Sequence, residues 1–334
     1  MMKRFFFIFV LLYVSISHAQ SQYIYPVHKY SASIKDLQLS NFDIQDTVLF
    51  LPLGNNGLHI LNIQDLNNIT ELSVYEEYEK RSRKKVYGVA HSVEVKDNKA
   101  FLSYGPLGLK VLDVTDPTMP YVLGTYYRHQ DVYCTEIYEN YGFLGYIGMG
   151  LEIVDFSNME DIKIVSRKNE RDFSVKDIDI IPPYVVIAGG KRGLRSFKFG
   201  EPFTDFKQVE FPKDYITEHE AYQLIIKDKM GYLANDKNGL TVFNMGLPLY
   251  PLQIDQIKTR GDATDLILDD TYLYVASGRH IEIFDLRDPE KPNQIYQYED
   301  KGKDFISLKR HNNYLFALYE EGKKDYGFII FQVE

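Results

Sequence analysis

Three observations predict an all-β fold of seven similar four-stranded units for this 334-residue chain. The same order of short strands and turns recurs about every forty residues. No stretch carries the 3.6-residue apolar period of an amphipathic helix. Tyr (27) and Phe (21) are abundant and Trp is absent, a bias that suits strands, where aromatic side chains pack on a pleated surface. With 45% hydrophobic and 25% charged residues, the chain is globular rather than disordered.

Taking "SVEV" at Ser92–Val95 as the opening strand, equivalent positions fall at Phe42, Val93, Thr135, Ile178, Leu224, Leu266 and Ser307, with spacings of 51, 42, 43, 46, 42 and 41. Each copy starts with a short apolar strand ("TEIY", "IDII", "QLII", "DLIL") and a tight polar turn ("KDN", "YEN", "KDK", "DDT"). A second strand rich in aromatics follows ("AFLSY", "GFLGY", "GYLAN", "LYVAS", "YLFAL"). Next come a Gly-containing loop, a third strand ("GLHILNI", "GLKVLDV", "GLEIVDF", "GLRSFKF", "HIEIFDL"), a turn that often holds Pro, and a fourth strand such as "YVLGTYY". Four short antiparallel strands per unit of about 40 residues define the blade of a β-propeller. The blades are expected to begin near residues 38, 91, 133, 176, 222, 264 and 305. A β-helix would need shorter coils.

Within each copy, Gly57, Gly108, Gly150, Gly193 and Gly239 are expected to take positive φ before the third strand. Asp113, Asp155 and Asp285, with Asn62 and Asn244, end that strand and are expected to hydrogen-bond the following turn. One per blade, they read as structural residues.

The seventh copy ends after its third strand. The segment Gln22–Tyr30, "QYIYPVHKY", precedes the first copy without a partner there and resembles the outer strand "NQIYQYE" of copy six. It is expected to complete blade seven against Phe328–Val333 and so close the ring. Pro26 suits an edge strand, where a missing N–H is tolerated.

The segment Gly88–Tyr126, with its Gly-x-Ala lead-in, "GLKVLDV", Asp116-Pro117, Pro120 and "VLGTY", resembles the LVIVD-repeat family of secreted bacterial β-propellers, and "GLEIVDF" and "HIEIFDLRDPEKP" match that pattern too. The resemblance implies a propeller fold and an extracytoplasmic location. It implies no particular chemistry. Copies one, four and seven depart from the pattern; copy four has Phe197-Lys198 where the acidic residue belongs.

The first nineteen residues read as a signal peptide outside the fold. Lys3 and Arg4 form a positive start, "FFFIFVLLYVSI" an apolar run too short to span a bilayer, and Ser17-His18-Ala19 a small-x-small cleavage site before Gln20. The mature protein is therefore expected in the periplasm or outside the cell, with no membrane-spanning segment. Losing Lys3 and Arg4 takes the formal net charge from −9 to −11, which gives no electrostatic reason to bind nucleic acid. Cys134 is the only cysteine, so no intramolecular disulfide forms, and it reads as a small buried hydrophobe.

The absence of Trp rules out the WD dipeptide, and HExxH, GxSxG, CxxC, an EF-hand loop and a P-loop are all missing. No cofactor or metal is expected. In a propeller, the loops from strand four to the next strand one, and from strand two to strand three, share the face at the channel mouth, and loops on a rigid scaffold carry function. Those loops hold His91, His129, His219, Arg260, Lys191 and Arg192. The long first spacing hides roughly nine extra residues around Glu79–Lys85, with Arg81, Arg83, Lys84 and Lys85. This insert reads either as a grip for an anionic glycan, a phosphate or an acidic partner, or as a solvated loop. The expected function is a monomeric, exported, non-catalytic propeller that binds a protein or glycan on its loop face. Two alternatives remain: a hydrolase or lyase acting on an anionic sugar through His91, His219 and Arg260, or a purely structural envelope protein.

Overall fold

The computed structural model describes residues 22–33, 41–82, 84–127, 130–169, 173–199, 206–207, 219–322 and 325–334. The leader at 1–19 and residue 38, where the first blade was expected to begin, lie outside the described residues. Among the described residues, thirty strands form seven four-stranded antiparallel sheets and one separate two-stranded hairpin. The chain is a seven-bladed β-propeller.

Blade two shows how the sequence folds each unit. Its strands are Ser92–Lys96, Lys99–Ser103, Leu109–Asp113 and Tyr121–Tyr126, from the channel outward. Asp97 and Asn98 turn the first strand into the second with φ of 50° and 57°, the left-handed pair that a two-residue hairpin matching strand twist requires. Gly108 takes φ of 78° before the third strand, and a Cβ there would stand 2.3 Å from the Tyr126 carbonyl oxygen. Only glycine satisfies both demands. Asp113 Oδ1 then accepts from the Thr115 amide at 2.9 Å, which directs the chain into the turn before the outer strand. Asn62, Asp155, Asn244 and Asp285 do the same for Gln64, Ser157, Gly246 and Arg287. The register slips by one residue between the third and outer strands of blades one, two, three, five and six, and such bulges add the right-handed twist of a propeller blade.

The N-terminal strand Ile24–Ser33 pairs antiparallel with Asp325–Val333, from Ile24 opposite Val333 to Ser33 opposite Asp325. It is the outer strand of blade seven, outside Tyr314–Glu321 and Asp304–His311. Pro26 sits at a bulge in this pairing, on the exposed edge where its missing N–H costs nothing.

Among the described residues, the buried apolar side chains gather in seven clusters, each shared by two consecutive blades. The seam of blades seven and one, for example, joins Phe316, Phe328 and Ile330 to Leu49, Leu51 and Leu61. Adjacent blades are thus held face to face by side chains fully removed from water, each worth roughly 1.5–3 kcal/mol of burial.

Isolated bridges Gly54–Ala90, Gly105–Val132, Gly190–Ala221 and Asp236–Ala263 join a loop between strands two and three to the lead-in of the next blade. Both classes of loop therefore lie on one face, as the blade order requires.

Two measurements probe this architecture. Deleting residues 22–33 leaves Asp325–Val333 as a bare outer edge, so the thermal midpoint should fall and light scattering should report aggregation; an unchanged midpoint would show that the ring does not need its closing strand. Gly108→Ala should lower urea-derived stability by about 1–3 kcal/mol, the cost of forcing a side chain into a left-handed backbone site.

Candidate functional site

The channel is lined by the seven first strands, whose inner edges would leave a row of backbone N–H groups without partners. Side chains of the preceding blade fill that need. Asn41 Oδ1 accepts from the Val93 amide at 3.1 Å and Asp43 Oδ2 from Val95 at 2.8 Å. Asp177 Oδ2 accepts from Leu224 at 2.9 Å and Asp179 Oδ2 from Ile226 at 2.7 Å. Gln223 accepts from Leu266, and Asp265 from Leu308. The last pair corrects the repeat alignment: Leu308, one residue beyond Ser307, stands where Leu266 stands in blade six. The pairing fixes it: Leu266 lies opposite Val275 and Leu308 opposite Ala317, each after a bulge at the same place in its strand. Lys309 Nζ contacts Asp43 Oδ1 at 2.7 Å and joins blade seven to blade one.

This belt packs many carboxyl groups into one channel. Burial, with Asp43 beside it, pushes the pKa of Glu94 up to about 8. Burial raises Asp177 to about 8 and Asp265 to about 7, against the hydrogen bonds that each accepts. Asp179 is raised for the same reason, and Glu136 is pushed well above the carboxylate range by burial and by Glu94 beside it. A cavity of about 200 Å³ opens among Tyr133, Glu136, Lys176, Asp177, Tyr222 and Asp265 at the loop-face end of the channel. The Lys176 ammonium lies 4.9 Å from the Tyr133 ring centre and 5.9 Å from that of Tyr222. Among the described residues, no three of His, Cys, Asp or Glu are placed to hold a metal ion. Of the channel acids, Asp43, Asp177, Asp179 and Asp265 accept hydrogen bonds that join blades. The sequence carried a signal for them, since Glu94, Glu136 and Asp179 occupy one position of successive first strands.

The insert in the first spacing is an antiparallel hairpin, with Tyr78 opposite Tyr87, Glu79 opposite Val86, Lys80 opposite Lys85 and Arg81 opposite Lys84. It stands on the loop face between blades one and two. Ser82 takes φ of 56° at its tip. Opposed residues share a face of a two-stranded ribbon, and alternate pairs point to opposite faces. The Glu79/Val86 and Arg81/Lys84 pairs turn toward the propeller. Val86 packs on the core shared by blades one and two. Arg81 bonds Glu79 at 3.0 Å and the Pro106 carbonyl at 2.8 Å, with its guanidinium 4.9 Å from the Tyr127 ring centre. At the root, Glu77 pairs with the nearly buried Lys110 at 2.9 Å, and its amide donates to Tyr104 at 3.0 Å. Arg81 therefore positions the hairpin. The other face carries Tyr78, Lys80, Lys85 and Tyr87, all exposed. Sequence reasoning singled out the basic residues here and missed the two tyrosines, which only the pairing brings beside the lysines.

The remaining candidates are scattered around the ring. His91 is buried, with its ring 5.6 Å from that of Tyr133. His219 Nδ1 lies 3.8 Å from Asp236. Arg260 donates its amide to Glu282 and its Nε to Gln297 at 3.1 Å, and it lines a cavity with Arg279, His280, Asp262 and Asp304 that contains neither His91 nor His219. Each of the three lies in a different connection between blades. Lys191 is exposed, 4.0 Å from Glu220, and Arg192 lies in the same loop of blade four. Arg83 and His129 lie outside the described residues.

Seven four-stranded blades around an acid-lined channel define a closed propeller. Its particular kind follows from the sequence: residues 87–127, 131–167 and 260–300, which are blades two, three and six, match the LVIVD repeat. The chain carries LVIVD repeats. A search of curated proteins finds no match. Solved structures share the fold at low identity. A chain of the mitotic checkpoint complex aligns with a TM-score of 0.69 at 10% identity, over 98% of this chain and 99% of that one. The β-propeller domain of Cps50 (Swd1) from Myceliophteria thermophila gives 0.67 at 9%, over 93% and 100%. BamB from Moraxella catarrhalis gives 0.55 at 13%, over 87% and 81%.

The raised channel carboxyls fix the sign of a pH effect. Their folded-state pKa values exceed the unfolded values of about 4, so folding takes up protons. The stabilisation is full below about pH 4 and is lost as the pH climbs through 7 to 8. Asp113, Asp116 and Asp285, held low by hydrogen bonds, act in the opposite sense but only at acid pH. The thermal midpoint is expected to fall from pH 6 to pH 9, with a shallower slope in Glu94→Gln. Asp177→Asn keeps an acceptor for Leu224 and should match wild type or exceed it at pH 8. Asp177→Ala should lose about 1–3 kcal/mol by leaving that amide without a partner.

Proposed function

We propose that this protein is an exported, non-catalytic propeller that holds a protein or glycan partner on its loop face, with the hairpin at 78–87 as the docking element. One observation carries the reading. The hairpin is fixed to the propeller by one side, through Val86, Arg81 and the Glu77–Lys110 pair, while its other side offers aromatic and basic groups to solvent. Rigid presentation of a few groups on a projecting element is how a scaffold binds without losing conformational entropy. The cavity lined by Arg260 includes neither His91 nor His219, which favours binding over hydrolysis or lysis of a sugar. One chain of similar fold was solved as part of a mitotic checkpoint complex.

Export rests on the leader at 1–19, and the protein is read as a periplasmic or secreted monomer. Among the described residues, no helix is long and apolar enough to cross a membrane.

The test replaces residues 79–86 by Gly-Asn and compares partners retained from envelope extracts. Loss of a specific partner from a propeller that still unfolds in one cooperative thermal transition is expected; an identical set of partners would sink the reading. The N-terminus of protein recovered outside the cytoplasm should be Gln20.

A further inference from the structure

The solvent face of the hairpin holds a feature that the fold does not explain. Lys80 and Lys85 are directly opposed across the two strands, where like charges weaken the pairing. Neither has an ion-pair partner among the described residues; Lys85 lies only over the Tyr78 ring, 4.1 Å from its centre. Glu79, the one acidic residue of the hairpin, turns to the other face and is taken by Arg81. Two residues along the ribbon, Tyr78 and Tyr87 form a second opposed pair with ring centres 5.5 Å apart, 43% and 53% exposed. Burying aromatic rings of this size normally contributes to stability. Here both are left in water beside two uncompensated ammonium groups.

We infer that this quartet is a binding site for an acidic polysaccharide, a reading that rests on the loop-face function proposed above. The chemistry is complementary. An aromatic face carries negative quadrupole charge and attracts positively polarised C–H groups, which a pyranose ring presents on its flat side. The lysine pair supplies compact positive charge for carboxylate or sulfate substituents. The tyrosine pair and the lysine pair sit one two-residue step apart, roughly 7 Å along the backbone of the ribbon, so one extended sugar chain can meet both a stacking surface and positive charge. The size of the face favours a polymer over a folded acidic protein. Four residues per strand give a ribbon about 13 Å long, whereas a stable protein interface covers about 800 Å² on each partner.

Equilibrium binding of the purified protein to polygalacturonate, dextran sulfate, neutral dextran and poly-L-glutamate tests the inference. Polygalacturonate and dextran sulfate should bind in a salt-sensitive manner, and neutral dextran should not. Lys80→Glu turns the like-charge pair into an ion pair, so it should keep or raise the thermal midpoint while weakening polysaccharide binding at least about tenfold, or 1.4 kcal/mol. Tyr78→Ala/Tyr87→Ala should weaken polysaccharide binding comparably. Wild-type affinity in both variants would overturn the site. Binding of poly-L-glutamate as tight as that of polygalacturonate, and indifferent to the tyrosines, would overturn the sugar class in favour of an acidic polypeptide. Failure here with retained hairpin-dependent capture from extracts would leave the loop-face reading standing; hairpin-independent capture would remove both.

Discussion

The pairing of Ile24–Ser33 with Asp325–Val333 is the constraint on which the remaining structure depends. It joins opposite ends of the chain inside one blade, so every blade has a neighbour on both sides and each of the seven apolar seams is closed. Without it, Phe328 would lose the Tyr30 ring stacked on it at the seam that packs Phe316 and Ile330 against Leu49 and Leu51. The channel and the loop face exist only as products of a closed ring. A closed ring also leaves blades with short edges rather than long ones exposed to other chains.

Closure creates a second demand at the channel, where seven inner edges meet. The fold answers it with polar side chains that reach across to the next blade. Asn, Gln and Asp accept from backbone amides equally well in geometry, but the aspartates bring charge into a narrow, partly dry space. Raised pKa values at Glu94, Asp177 and Asp265 record that conflict. The Lys309–Asp43 pair offsets part of it at the junction of blades seven and one. An acid-lined channel in a propeller can therefore be a consequence of joining blades, without being a site of chemistry.

The loop face shows how a motif visible in sequence acquires its meaning from pairing. Five basic residues between Tyr78 and Tyr87 were conspicuous from composition alone. The register separates them by role: Arg81 turns inward to the Pro106 carbonyl and Tyr127, while Lys80 and Lys85 turn outward with Tyr78 and Tyr87. A shift of one residue would exchange the two sets. The histidines illustrate the reverse. His91, His219 and Arg260 share a face by blade order, yet each takes a local partner, Tyr133, Asp236 and Glu282 respectively, that no motif announced.

By itself, the sequence determined the number of blades, the strand order within each, the positive-φ glycines, the Asp and Asn turn residues and the strand that closes the ring. These are local or periodic properties, written in spacing, in residues with special backbone freedom and in a terminal strand with no partner nearby. The tertiary structure alone decided which acidic side chain meets which amide across a seam, that Leu308 rather than Ser307 occupies the repeat position, and that two tyrosines and two lysines share a bare face. Those outcomes depend on pairing register, where one residue of slip reverses the face of every side chain, and no single-chain period encodes them.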